Sequence, residues 1–281
     1  MACLACESSK QKVVFVEFGV NIYKCQNCGH MFSSYGADQY YDGYFKNMAV
    51  SNNFWWDEAH KIIYNDFCKK YLVGNGGKLL DVGCGLGFFV KKVNNYKDWQ
   101  ATGYEISKTA VDFATNELKL TNILCGKVEE ADFPKNYFDI ITLWDVIEHI
   151  PDPDKILNYI SSILKQGGFL FIHTPNANIQ LFKARFKKLL YGMKPEKHYL
   201  EANDHINIYT AKSISMVLKR HNFKFIDFVH LHPIQSVSGS KNRLNIAIKN
   251  LWFNFSRIFY QLSFKKINLN NLYIVAKKLN Q

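Results

Sequence analysis

From Lys78 onward the hydrophobic positions fall into short apolar runs, most of them followed by a stretch whose apolar residues recur at helical spacing. KLLDVG leads into a helix from about Phe88, ATGYEI is followed by TAVDFATNEL, NILC stands alone, FDIITLW is followed by DPDKILNYISSILK, and GFLFIHT closes the run. Parallel strands need crossover connections, and helices between strands supply them. After a polar, basic insertion at about 177–206 come the helix AKSISMVLKRH and the strands FKFIDFVHLH and NLYIVAKK. The pattern predicts an α/β, Rossmann-like fold: a seven-stranded, mostly parallel sheet with an antiparallel edge.

Upstream the text changes. Residues 1–33 hold two CxxC pairs around the β-like runs VVFVEF and NIYKC, which suits a small knuckle-and-hairpin module. Residues 34–77 are aromatic: YYDGYF, then NNFWWDEAHKIIYNDFCKKYL, where Phe54, Ile62, Ile63, Phe67 and Leu72 approximate helical spacing. This stretch predicts a helix leading into a main domain at 78–281.

Composition changes the picture only at the margins. The chain has 281 residues, 48% hydrophobic, enough for one α/β core with an appendage. A formal charge of +11 favours phosphate-bearing or membrane-surface partners and says nothing about fold. No segment reaches the roughly 18 apolar residues of a membrane span. MACLACESSK has no apolar core to drive export, so the expectation is the reducing cytoplasm, with peripheral contact at the inner face of the membrane left open. A disulfide framework does not fit that setting.

Cys3 and Cys6, then Cys25 and Cys28, have the spacing of a tetrahedral four-thiolate zinc site, with a redox pair or bare thiols as alternatives. With all four positions filled by protein, zinc there would be structural. Cys68, Cys84 and Cys125 have no partner at ligand spacing.

The strongest local signal is LLDVGCGLGFF, where a strand runs into Asp81, Gly83, Gly85 and Gly87 before a helix. Glycines there allow a tight turn and close backbone approach to a ligand. The nicotinamide-dinucleotide pattern starting at Gly83 would need glycine where the chain has Phe88. About 20 residues on, Glu105 ends the next strand, where a carboxylate accepts from ribose hydroxyls.

On these residues the chain from about 54 to 277 resembles class I S-adenosylmethionine-dependent methyltransferases. FDIITLWDVIEHIPDPDKIL and ILKQGGFLFIHTPN are similar to the subgroup containing ubiquinone-biosynthesis O-methyltransferases and many sugar methyltransferases. The resemblance implies S-adenosyl-L-methionine as cofactor. It places Asp81, Gly83, Cys84, Gly85 and Gly87 along the methionine end, Glu105 on the ribose, Ile106 on adenine and Asp145 beside the cofactor. Where many relatives have an adenine-binding aspartate this chain has Lys127, and Glu129 or the Val128 backbone substitutes.

A hydroxyl acceptor benefits from a general base, and histidine titrates in the right range. His149, just past the fourth strand of the main sheet, is the first candidate, followed by His173 at the end of the fifth and His205 at the exit of the insertion. A structural histidine is the alternative for each. In ubiquinone-type relatives the Glu-His pair is associated with a divalent metal, for which Asp145, Glu148 and His149 are the candidate ligands. The chain lacks the Asn-Pro-Pro-aromatic and Pro-Cys motifs of base methylation after LWDV.

Two basic amphipathic stretches remain, NIQLFKARFKKLLY and the segment at about 241–266. Both are expected to cap the active site with apolar faces inward, an anionic membrane surface being the alternative. The leading function is O-methylation of a sugar, glycan or related hydroxylated metabolite, free or lipid-linked, since zinc-ribbon methyltransferases of this layout resemble enzymes of bacterial surface-glycan modification. A four-cysteine module before this core also resembles ribosomal RNA guanine methyltransferases, the second reading, and a non-catalytic cofactor-binding scaffold is the third. The sequence sets no oligomeric state.

Overall fold

The computed structural model describes residues 2–35, 50–74, 76–234 and 243–278. The run YYDGYF lies outside them, as do the side chains of Phe54 and Leu244. The described residues form two sheets. The larger comprises β4 (Gly77–Val82), β5 (Trp99–Glu105), β6 (Ile123–Cys125), β7 (Phe138–Trp144), β8 (Leu164–Thr174), β10 (Phe223–Phe228) and β11 (Leu272–Lys278), in the order β10-β11-β8-β7-β4-β5-β6. The five strands from β8 to β6 are parallel. β11 runs antiparallel to both β8 and β10, so the β10-β11 pair closes this end of the sheet as the predicted antiparallel edge.

Successive residues of a strand point to opposite faces, and the core divides accordingly. Leu79 and Ile140 pack under α1 (Val50–Tyr71), α2 (Phe88–Val93) and α3 (Lys108–Asn116) with Ile63, Phe67, Phe89 and Phe113. Leu80 and Ile141 pack under α4 (Pro153–Ile163) and α6 (Ala211–Arg220) with Leu157, Ile160, Val217 and Leu218. Pro153 starts α4 after the Asp152 cap, where a missing N–H costs nothing, and Thr210 and Ser213 close a capping box on α6.

The second sheet has the order β1-β2-β3-β9, from β1 (Gln11–Glu17), β2 (Val20–Cys25), β3 (Met31–Ser33) and β9 (Asn207–Ile208). The N-terminal ribbon therefore takes its fourth strand from far down the chain, pairing Met31 with Ile208 and Phe32 with Asn207. The insertion, with α5 (Ala177–Tyr191), shares a core with it: Phe15, Ile22 and Met31 pack on Leu181, Tyr199 and Leu200. Buried Glu17 ties the two, its carboxylate accepting from the backbone N–H groups of Tyr199 (3.2 Å), Leu200 (3.0 Å) and Ala202 (3.2 Å).

The inward-facing cap expected of the two amphipathic stretches is not what forms. Phe186, Leu189, Leu251 and Phe255 are exposed, because the ribbon and the domain body take only the opposite sides of α5 and of α7 (Arg243–Leu262).

Glu17→Ala strands three backbone donors in a buried seam. We expect it to lower unfolding free energy by about 3 kcal/mol, read from urea titrations, with cofactor affinity changed far less.

Candidate active site

The chain order reverses between β4 and β7: β5 and β6 build to one side, β7 and β8 to the other. In open α/β sheets ligands bind beyond the carboxyl ends of the strands at such a switch point. Asp81 and Thr142 sit there in register, and the Thr142 hydroxyl donates to Asp81 Oδ1 at 2.6 Å. Burial pushes the Asp81 carboxyl up to about 8, with the nearby Glu105 charge adding to the effect and the Thr142 hydroxyl opposing it.

Glu105, at the end of β5, is buried and shapes the glycine loop. Its Oε2 accepts from Gly85 N and its Oε1 from Ser107 N, both at 2.8 Å. Gly83, Gly85 and Gly87 have φ of 69°, 51° and 81°, the left-handed region that glycine enters without strain. A Cβ on Gly83 would stand 2.5 Å from Val146 Cγ2. The Cys84 thiol is enclosed beside Gly103, and burial raises it well above the ordinary thiol range. Ile106 is exposed next to Glu105, offering an apolar face to a planar ring. Val128 is buried in the core beyond β6, while Glu129 is half-buried in the same 3-10 turn, Val128–Glu130.

The histidines gather at the carboxyl ends of β7 and β8. Asp145, at φ 52°, turns its carboxylate onto His173, with Oδ2 at 2.9 Å from Nδ1. The Asn271 side-chain nitrogen faces Nε2 at 3.1 Å, so the network requires Nδ1–H as donor and Nε2 as acceptor. His173 is also stacked on Tyr273, 4.6 Å between ring centroids. Burial disfavours charge on His173, but Asp145 outweighs it and the imidazole is raised, with Asp145 lowered in turn.

Glu148 is fully buried. Its Oε2 accepts from the Thr174 hydroxyl at 3.0 Å, whereas Oε1 has no hydrogen-bond partner among the described residues. Burial, reinforced by Asp145, pushes Glu148 up to about 8. His149 Nδ1 faces the Asp204 carbonyl at 3.1 Å and its carboxylate at 3.2 Å. Against burial, Asp204 and Glu148 hold His149 up to about 9. His205 lies edge-on to His149 with ring centroids 5.0 Å apart, and one ligand atom each from Glu148, His149 and His205 fall within 4.8 Å of one another. An orphaned buried carboxylate oxygen beside two imidazoles is a donor set that suits a divalent cation. His205 fills the place for which Asp145 had been a candidate, since Asp145 is turned to His173.

Sequence reasoning passed over His60 and Tyr64, which stack along one face of α1 with Trp56, centroids 5.0 and 5.3 Å apart. His60 Nδ1 donates to the Trp56 carbonyl at 2.8 Å, so its lone pair is on Nε2. Burial keeps His60 below the usual histidine range, and the charges of Asp145 and His173 reach it. The signal was the four-residue spacing of Trp56, His60 and Tyr64 on one helix.

The thiols of the ribbon also converge. Cys3 and Cys28 Sγ are 3.6 Å apart, Cys6 and Cys25 Sγ 3.5 Å, and all four lie within 4.8 Å of one another. A tetrahedron of Zn–S bonds places sulfurs about 3.8 Å apart, so the four cysteines are able to hold such an ion.

The fold and this cleft are those of an S-adenosylmethionine-dependent methyltransferase. Residues 60–227 match the family described as "Methyltransferase domain", and the chain belongs to it. It is 25% identical over 201 residues to the ubiquinone biosynthesis O-methyltransferase of Coxiella burnetii, covering 65% of this chain and 82% of that one. It is 30% identical over 142 residues to the enzyme of the same name from Chromobacterium violaceum, covering 46% and 60%. Among solved structures, a complex of the Haloferax volcanii Trm112 methyltransferase activator with a methyltransferase aligns with TM-score 0.61 at 12% identity, covering 87% of this chain and 100% of that one. Phosphoethanolamine N-methyltransferase 2 of Haemonchus contortus, bound to S-adenosyl-L-methionine, aligns with TM-score 0.55 at 16% identity, covering 87% and 61%. At these identities the structures establish the fold alone.

Gly83→Ala forces a methyl against Val146 in a left-handed backbone. We expect at least a tenfold loss of S-adenosylhomocysteine affinity by calorimetry, with a melting temperature that falls by only a few degrees.

Proposed function

We propose that this chain transfers the methyl group of S-adenosylmethionine to a hydroxyl of a sugar, glycan or related small metabolite, in free or lipid-linked form. The observation that carries the reading is the Glu148, His149 and His205 cluster, set at the same end of the sheet as Asp81 and Glu105. The names of the O-methyltransferase relatives support a hydroxyl acceptor; the sugar or glycan is inferred from the ribbon layout.

S-adenosylmethionine supplies an activated methyl on a good leaving group, so the protein's part is mainly alignment and proton removal. In this reading Glu105 holds the ribose, Ile106 backs the adenine, with the Val128 backbone and Glu129 at its edge, and Asp81 faces the methionine ammonium across the Gly83–Cys84–Gly85 turn, which Gly87 closes. Asp145 acts through His173, whose two nitrogens are engaged, making it a positioning residue. The acceptor proton is then left to His149, His205 or His60. A divalent cation held by Glu148, His149 and His205 would bind and orient adjacent acceptor oxygens, which leaves His60 Nε2 as the base. Zinc held by Cys3, Cys6, Cys25 and Cys28 would be structural, since four thiolates would leave no coordination position for substrate.

Radiolabelled methyl transfer onto monosaccharides, nucleotide sugars, catechols and ribosomal RNA tests the reading. Turnover of the hydroxylated small molecules is expected, abolished by Glu105→Ala; transfer to ribosomal RNA alone would sink it. His149→Ala and His60→Ala, assayed with cofactor binding intact, separate the two roles: the base loses about 100-fold or more in kcat, whereas loss of a ligand is accompanied by loss of divalent-metal dependence. Elemental analysis should find one zinc per chain, and Cys28→Ser should remove it with a marked fall in melting temperature.

A further inference from the structure

Two helices carry more apolar surface than the fold uses. α7 seats Phe253 and Tyr260 on the body, where Phe253 stacks on His232 (4.5 Å between centroids) and Tyr260 lies tilted against His230 (4.8 Å). Its other face, Ile248, Leu251, Phe255, Ile258 and Leu262, recurs at three- and four-residue spacing and is 53% to 72% exposed. α5 buries Leu181 and Ala184 against the ribbon and leaves Phe182, Phe186, Leu189 and Leu190 at 53% to 81%. The two are joined at one end, since Asn176, the cap of α5, donates from Nδ2 to the carbonyls of Asn268 and Asn270, just beyond α7. Lys183 on α5 is held below the usual lysine range by desolvation and by the like charges of Lys187 and of Lys249 on α7.

Charge identifies what covers this surface. Neither helix contains an aspartate or glutamate, while α5 has four lysines and arginines and α7 has three. In a twofold dimer the same patch meets itself, so seating a second copy here would set cations against cations. An anionic bilayer accepts both features: apolar side chains enter the boundary between headgroups and acyl chains, and ammonium groups meet phosphates. Among the described residues no helix is long and apolar enough to cross a membrane, so the contact lies in the plane of the surface.

We propose that the outward faces of α5 and α7 form one docking surface for an anionic lipid bilayer. This goes beyond the choice of acceptor and holds whether or not the acceptor is lipid-linked.

Sedimentation of the full chain with vesicles tests it. Vesicles of phosphatidylcholine with phosphatidylglycerol should bind the protein roughly tenfold or more better than phosphatidylcholine alone, and binding should fall between about 0.1 and about 0.5 M salt. The double variant Leu251→Ser/Phe255→Ser alters only exposed side chains; it should lose roughly tenfold in vesicle binding at unchanged melting temperature and S-adenosylhomocysteine affinity. Lys188→Glu should weaken binding to the anionic vesicles alone. Wild-type protein that stays in the supernatant overturns the proposal, as does undiminished binding of the double variant. A wild-type dimer that the double variant disperses, without vesicle binding, assigns the surface to a second copy instead. Cofactor affinity in the same samples reports on the methyltransferase reading independently.

Discussion

The cleft is organised around two buried carboxylates at the ends of neighbouring strands. Glu105 gives one oxygen to Gly85 N and the other to Ser107 N, so a single side chain sets the glycine loop and the entry to α3. Ser107 then caps that helix by accepting from Ala110 N at 3.3 Å. Asp81 crosses the switch point to Thr142, and among the described residues no lysine or arginine pairs with it. Burying two anions in proximity is costly, and Asp81 registers the cost by rising to about 8. A ligand with a sulfonium and an ammonium supplies the missing charge. On the proposed cofactor placement, this buried carboxylate pair gives the cleft selectivity for a cationic ligand.

What was legible in the sequence was whatever local period or local chemistry could encode. The strands β4, β5, β7 and β8 and the helices between them follow from apolar runs and 3.6-residue spacing, and the loop from glycines that must take positive φ. β9 was not legible. It is two residues long, and what makes it a strand is pairing with β3, across a sequence separation that no window spans. Direction of an apolar face was likewise hidden. The periodicity of α7 gives the same stripe whether it points into the protein or away from it, and the ring contacts of Tyr260 with His230 and of Phe253 with His232 on the opposite side settle which. His60 was missed for a related reason: on a helix far from the motif, its relevance depends on Asp145 and His173 lying across from it.

The ribbon and the histidine cluster, read from the sequence as separate features, are mechanically one. Asn207, in β9, meets buried His30 of the ribbon through Oδ1 at 3.1 Å and donates from Nδ2 to the Ile150 carbonyl at 2.7 Å. Ile150 directly follows the Ile147–His149 turn, which contributes Glu148 and His149 to the cluster. Three residues before Asn207, Asp204 fixes His149, and His205 completes the group.

The exit of the insertion is thus a strand of the ribbon and a flank of the histidine cluster at once. Burial lowers His30 to about 4, so it stays neutral at physiological pH and can hold that contact without carrying charge into the core. Behind it, Thr210 donates to the Cys28 carbonyl at 3.1 Å and Arg220 to the carbonyls of Leu4 and Ala5 at 2.8 and 3.0 Å, clamping both cysteine knuckles to α6. A metal that tightens those knuckles would therefore act on the histidine cluster from outside it. On the proposed reading, a four-thiolate zinc site would have a reason to be fused to this domain: through Asn207 and Asp204 it would steady a segment that holds His149 and His205 in place.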